Sequence, residues 1–281
     1  MEGKVELNSN NHIKKGRSIN YYVKIYKKIM VQNIKSKMSY RFDFIMSLIG
    51  IIFVSVSGFV SFWIIFKNFP SLLGWSYDEM LFLYGFSLIA LTPVQCFFDN
   101  NWNLLSYVYS GDFIKYCFKP MNLFFYYISQ DFDIKGLGQL GIGIFILVYS
   151  WINLHLKFTY FILLKLIMAL ISSSLFMIAI MNFASASSFY IVNGAYFVMI
   201  LSNKFKDYAK YPVSIFNGVI RFVFTFIIPV AFMAYYPSLA FIKGKQPVFL
   251  TYFTPLYGII FFYASYKFWM KGAIKYHGTG S

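Results

Sequence analysis

Acidic side chains are scarce in this chain, with Asp and Glu together numbering 10 of 281 residues against 25 Lys and Arg. None of the ten lies within a long apolar run, so the paired carboxylates, or the nucleophile and base, that hydrolysis inside a membrane would require are missing. Cysteine and histidine are as thin: Cys96 and Cys117, with His12, His155 and His277, sit on scattered segments, which excludes a disulfide framework and argues against a metal cluster. No G-x-x-x-x-G-K-[ST] stretch occurs, so the chain has no phosphate loop with which to hydrolyse ATP by itself. The GxGxxG inside GLGQLGIG, Gly136 to Gly143, follows no strand and lies in an apolar helical run, so the dinucleotide context is missing and close helix packing in lipid is the expectation. Ser172 to Ser174 have no His or Asp in their run, and such serines are expected to bond back to the helix backbone. The chain is therefore expected not to be an enzyme, to hold no metal and to bind no cofactor.

Apolar residues are what it has instead. Hydrophobic residues make up 59% and aromatic residues 23%. Mean hydropathy is +0.60. That balance belongs to an integral membrane protein, because each crossing helix needs roughly 20 apolar residues. The runs predict an all-α, polytopic protein with six transmembrane helices at about 44–66, 80–98, 137–154, 158–182, 183–201 and 250–270, and the chain is expected to turn within NFASASS, Asn182 to Ser188. Gly218 to Ala240 is long enough to cross but contains Arg221, Pro229 and Pro237, so two readings stay open. Either it is an extracellular re-entrant hairpin within region 205–243, or it crosses and the run at 183–201 does not.

The net charge of +15 is spread along the flanks of the apolar runs, which marks membrane orientation and predicts no nucleic-acid partner. Ten Lys or Arg lie within residues 1–43, and Lys271 and Lys275 follow the last run, so both termini are expected to be cytoplasmic and the number of crossings even. Residues 1–18 are polar and expected to be disordered. From Tyr21, a helical period places Tyr22, Tyr26 and Ile29 on one face and Lys24, Lys28 and Lys35 on the other, the pattern of an amphipathic helix in the headgroup layer, with membrane lipid as its partner. Residues 1–43 thus form a tail and interfacial helix, and 44–281 the membrane domain.

Between the second and third runs lies a loop, 99–135, that this orientation puts in the cytoplasm. Within it, YSGDFIKYCFKPMN combines Gly111, suited to ending a helix in the left-handed conformation, with Asp112 as N-cap of a short helix that Lys119 and Pro120 stop. Phe113 and Phe118 are expected to project from it as anchors. At the start of the second run, Ser76 and Glu79 form a capping box, with Trp75 expected at the lipid interface.

Several stretches taken together resemble the ABC-2 type permeases, the type-2 exporter class of ABC transporter membrane subunits, bacterial ones in particular. GWSYDEMLFLYG is similar to that family's start of the second span, SGDFIKYCFKPMN to its cytoplasmic segment, YPVSIFNGVIRFVFTFIIPVAFMAYYPSLA to its paired outer half-helices, and FWMKGAIKYHGTGS to its short inner tail. The resemblance implies a multi-pass protein of the bacterial cell membrane that pairs with a second permease subunit, as homodimer or heterodimer, above separate ABC ATPase subunits that carry the ATP and Mg. It assigns ATPase coupling to Gly111, Asp112, Phe113, Lys115, Phe118, Lys119 and Pro120. The expected substrate path is the dimer seam, lined by Phe82, Tyr84 and Phe86. With no buried acid or basic cluster anticipated in the bundle, the expected cargo is an amphipathic or apolar lipid, peptide or drug, exported by ATP hydrolysis on the partner. An ATP-independent channel or carrier, or a structural membrane scaffold, is the alternative.

Overall fold

In the computed structural model, residues 18–242 and 249–276 are described, and no strand occurs among them. The polar stretch ahead of Ser18 lies outside these residues, as does the tail from His277. Helix α1 (Ile19–Ser39) is capped by the Ser18 side chain, which accepts a hydrogen bond from the Asn20 amide at 3.2 Å. Its half-covered face carries Tyr22, Tyr26 and Ile29, as the helical period requires, and Lys24 and Lys28 point away. After a one-residue break comes α2 (Arg41–Asn68), uncharged from Phe44 to Phe66, then α3 (Tyr77–Phe97). Three short helices follow in the connecting segment: α4 (Leu104–Tyr109), α5 (Ile114–Cys117) and α6 (Leu123–Ser129). The chain continues through α7 (Gly136–Asn153), α8 (Tyr160–Ala186) and α9 (Val192–Lys206). Past α9 lie the short α10 (Gly218–Phe222) and α11 (Tyr235–Leu239), and finally α12 (Phe249–Lys275).

Four helices, α2, α3, α7 and α8, are each long and apolar enough to cross a membrane. The protein is thus an integral membrane protein of helical class. Helix α3 is the hub: most of it is buried between α7, α8 and α2, whereas α2 buries only Ser55, Gly58 and Phe62 and turns the rest of its surface outward. Close approach of α3 to α7 depends on glycine. A side chain at Gly85 would stand 2.7 Å from the Leu147 amide nitrogen, and one at Gly143 would stand 3.0 Å from Ile89 and Leu88. Of the four glycines in GLGQLGIG, Gly136 and Gly143 are used this way and Gly141 faces open space.

Two expectations need correction. The turn expected within Asn182–Ser188 begins only at its last two residues: α8 runs through Ala186 because its small residues pack against other helices, and the turn spans Ser187–Ile191. The apolar run 183–201 is accordingly no single helix; it is the end of α8, a turn, and part of α9. Nor is Ser172 turned onto its own helix. Its hydroxyl donates to the Thr254 carbonyl of α12 and accepts from the Gly258 amide at 3.2 Å, while of the three serines only Ser174 bonds back, to Leu170 at 2.8 Å.

Gly218 to Ala240 is not one continuous helix. A π-helical turn, Val223–Ile227, leads to Pro229, whose missing amide and fixed φ end the helix; a 3-10 turn, Val230–Phe232, and α11 follow. Val230 and Met233 pack with Leu91 and Met177, deep between α3 and α8. Tyr235 returns to Trp75 at 6.0 Å. Two ends of the bundle can be defined: a near end, which holds α1, the segment 99–135 and the end of α12, and a far end, where α3 begins.

Candidate functional site

The near end is built from the segment between α3 and α7. Gly111 has φ +81°, so it closes α4 in the left-handed conformation that glycine adopts without strain, as its position suggested. Asp112 does not cap α5. Its carboxylate accepts from the Ser110 hydroxyl at 2.8 Å, a local turn bond, and α5 begins two residues later without a side-chain cap. Phe113 does not project. It has no exposed surface, and its ring meets those of Phe189 at 5.0 Å, Tyr276 at 5.3 Å and Trp269 and Tyr127 at 5.9 Å. Burial of a large ring and edge-on aromatic contact favour this position over any outward one. The part left for Phe113 is to fasten the element to α12 and to the turn after α8.

Phe118 is the residue that projects, 72% exposed. Ile114 is also exposed. Lys115 and Lys119 lie over aromatic faces, Lys115 Nζ at 4.5 Å from the Tyr107 ring and Lys119 Nζ at 5.9 Å from that of Tyr126. Pro120 follows the C-cap Phe118 and prevents the helix from continuing. The result is a short surface element held from beneath by aromatic rings.

A polar network missed by the sequence pattern ties this platform to the long helices. Asn101 donates to Asn182 of α8 at 2.8 Å and accepts from Ser185 at 2.9 Å, and Asn182 reaches Ser265 of α12 at 3.4 Å. Asn100 donates to the Tyr127 carbonyl and Tyr127 donates back to the Asn100 carbonyl, each at 2.6 Å. Buried and satisfied amides of this kind fix one arrangement of the elements they join. The run DNNWN directly after an apolar helix was the available signal. Beside it, Lys37 of α1 pairs with Asp131 at 2.8 Å and Asp133 at 3.3 Å, and Lys135 pairs with Asp133 at 3.2 Å. Asp99, in the same group, has its pKa pushed up to about 6, first by burial and then by the charges of Asp131 and Asp133.

At the far end the capping box is complete. Ser76 accepts from the Glu79 amide at 3.3 Å, and Glu79 accepts from the Ser76 amide at 2.9 Å. Trp75, expected at the lipid interface, is instead 3% exposed and donates to the Ser214 hydroxyl at 2.9 Å. Its partners there are Ser214 and Tyr235, so it joins α3 to the broken segment.

The expected aromatic path is also revised. Phe82 and Phe86 are fully buried, Phe82 against Trp151 and Phe241, and belong to the core. Tyr84 alone of the three borders open space. Its hydroxyl donates to the Ser55 carbonyl at 2.7 Å, an approach that Gly58 allows because any side chain there would collide with the phenol. The space is a cavity of about 510 Å³ between α2, α3, the start of α7 and the turn after α9, with Gln95, Gln139, Asp207 and Lys210 among its walls. Asp207 is exposed and Lys210 half-buried on these walls, neither a buried acid nor a buried basic cluster.

These features define a polytopic helical membrane protein with a platform at one end and, between its helices, a largely apolar cavity that carries a few polar and charged groups. The sequence profile of the ABC-2 family transporter proteins matches residues 27–280, and the chain belongs to that family. It is a permease subunit of an ABC transporter, a membrane component whose family partner is an ABC ATPase. No curated protein and no solved structure matches the chain.

Proposed function

We propose that the chain is the permease subunit of an exporter in a bacterial cell membrane, working beside a second permease subunit and driven by ATP hydrolysis on ATPase subunits docked under the near end. The observation that carries this reading is the build of the element from Gly111 to Pro120. Phe118 and Ile114 offer apolar surface outward, while Phe113 binds the same four-residue helix to α12 and to the turn after α8. A push on such an element is passed to long helices, because aromatic packing is stiff and poorly compressible. The near end is cytoplasmic in this reading, with both termini on that side. Six crossings are made by α2, α3, α7, α8, the path from α9 to Ser214, and α12. The segment 218–242 enters from the far side and returns to it, since Val230 and Met233 reach the level of Leu91 while Tyr235 lies back at Trp75.

The test is copurification. From mild detergent the chain is expected to bring an ATPase of ordinary single-domain size, and replacing Phe118 and Ile114 together by Asp is expected to lose it while the permease elutes unchanged. An ATPase that stays bound to that variant would overturn the assignment of the element. The charged cavity keeps an ATP-independent carrier as a second reading, and absence of any ATPase in the wild-type preparation would favour it.

A further inference from the structure

Lys210 lies level with the middle of the bundle. Its Nζ is 5.9 Å from the ring of Tyr84 and 5.4 Å from that of Tyr211. Tyr84 stands about 10 Å along α3 from its first residue, at 1.5 Å per residue, and its hydroxyl reaches Ser55, near the centre of α2. Asp207, one 3-10 turn earlier, lines the same cavity, as the eclipsed i, i+3 positions of such a turn allow. Charged side chains at this depth are expensive to bury and mark a binding or transport site.

The walls are of two kinds. Ile51, Val54, Leu88 and Leu91 are apolar, while Gln95 contributes an amide oxygen that is buried and has no hydrogen-bond partner. Charge at the cavity is unevenly committed. Lys135, at its near-end mouth, is already paired with Asp133, whereas Lys210 makes no ion pair among the described residues and rests only on aromatic faces. The segment leading in carries Lys204, Lys206 and Lys210 against the single acid Asp207.

We infer that this cavity binds an amphiphile with an anionic headgroup, the head pairing with Lys210 and the chain lying along the apolar walls of α2 and α3. The inference rests on the permease reading and gives it a substrate class. Asp207, on the same wall, repels a second anion.

The experiment uses the purified permease without ATP or ATPase, in a neutral polyoxyethylene detergent, titrated with dodecyl phosphate and read by native mass spectrometry. Saturable binding of one molecule per chain is expected. Lys210→Gln is expected to weaken it at least about tenfold, the effect of removing one partner of a desolvated charge pair, and Lys210→Arg to restore most of it. Dodecyltrimethylammonium, of equal chain length and opposite charge, should not compete, and this comparison needs no variant. Equal binding of the cation, or no loss in a Lys210→Gln chain that elutes normally, would overturn the proposal. Displacement by inorganic phosphate as effective as by more dodecyl phosphate would overturn the amphiphile and leave an anion alone. Because no ATPase is present, loss of the docking reading does not move these results.

Discussion

At the near end, Phe113, Tyr127 and Trp269 have no exposed surface and meet ring against ring; midway along the same bundle, Asp207 and Lys210 stand at a cavity of about 510 Å³. One region fills its volume with apolar rings and leaves nothing for a ligand. The other keeps space, charge and an unpartnered amide oxygen at Gln95 where burial alone would favour none of them. The contrast separates two tasks, since an element that passes on a displacement must be closely packed, while a site that takes and releases cargo must stay unfilled. It also explains why two phenylalanines five residues apart differ so widely in exposure, Phe113 at 0% and Phe118 at 72%.

Phe113→Ala should expose that contrast most strongly. Removing a fully buried ring costs about 3–5 kcal/mol in well-packed interiors, so the apparent Tm in detergent should fall by several degrees. Phe118→Ala should stay within about 0.5 kcal/mol, the ordinary range for a surface change. Equal shifts for the two variants would show that the rings at the near end are not packed as described.

Asp99 gives a smaller effect, with a sign set by pH. Its pKa is raised from 3.8 to about 6, so the folded protein holds the proton more tightly than the unfolded chain. The stability linked to that proton is fully present below about pH 4 and lost as pH rises through about 6. Above neutrality a charged Asp99 opposes the fold, facing Asp131 and Asp133 with only Lys37 and Lys135 to offset them. Asp99→Asn is therefore expected to stabilise the protein by roughly 1–3 kcal/mol above about pH 7 and by nothing near pH 4. Tm measured against pH for both proteins tests this, and parallel curves would contradict it.

How much of this was legible follows from which interactions are local. The uncharged run of α2, the Ser76–Glu79 cap and the left-handed Gly111 are set by residues within four positions of one another, and each is found where the pattern puts it. The helix α5 is only four residues long, too short for periodicity to say which face is covered. Phe113 is buried by Phe189, Trp269 and Tyr276, partners far along the chain. Asp207 and Lys210 were missed for a related reason: charge in a polar stretch reads as a surface loop. Here a 15-residue helix, α9, and one 3-10 turn deliver that stretch to the level of Tyr84.

The far end tests whether locally encoded structure is also energetically local. Ser76→Ala removes the acceptor for the Glu79 amide while leaving Trp75 packed on Tyr235 and hydrogen-bonded to Ser214. Loss of an N-cap costs about 1 kcal/mol, so Tm should fall less than for Phe113→Ala. Hydrogen exchange should quicken at the first-turn amides of α3, Glu79 above all, and hardly change at Leu88 or beyond. Ser76→Thr, which keeps the acceptor, should restore both readings. A drop as large as that of Phe113→Ala, with exchange quickened along the whole of α3, would mean that the cap holds the hub helix in place, and the division between a packed near end and a locally held far end would fall.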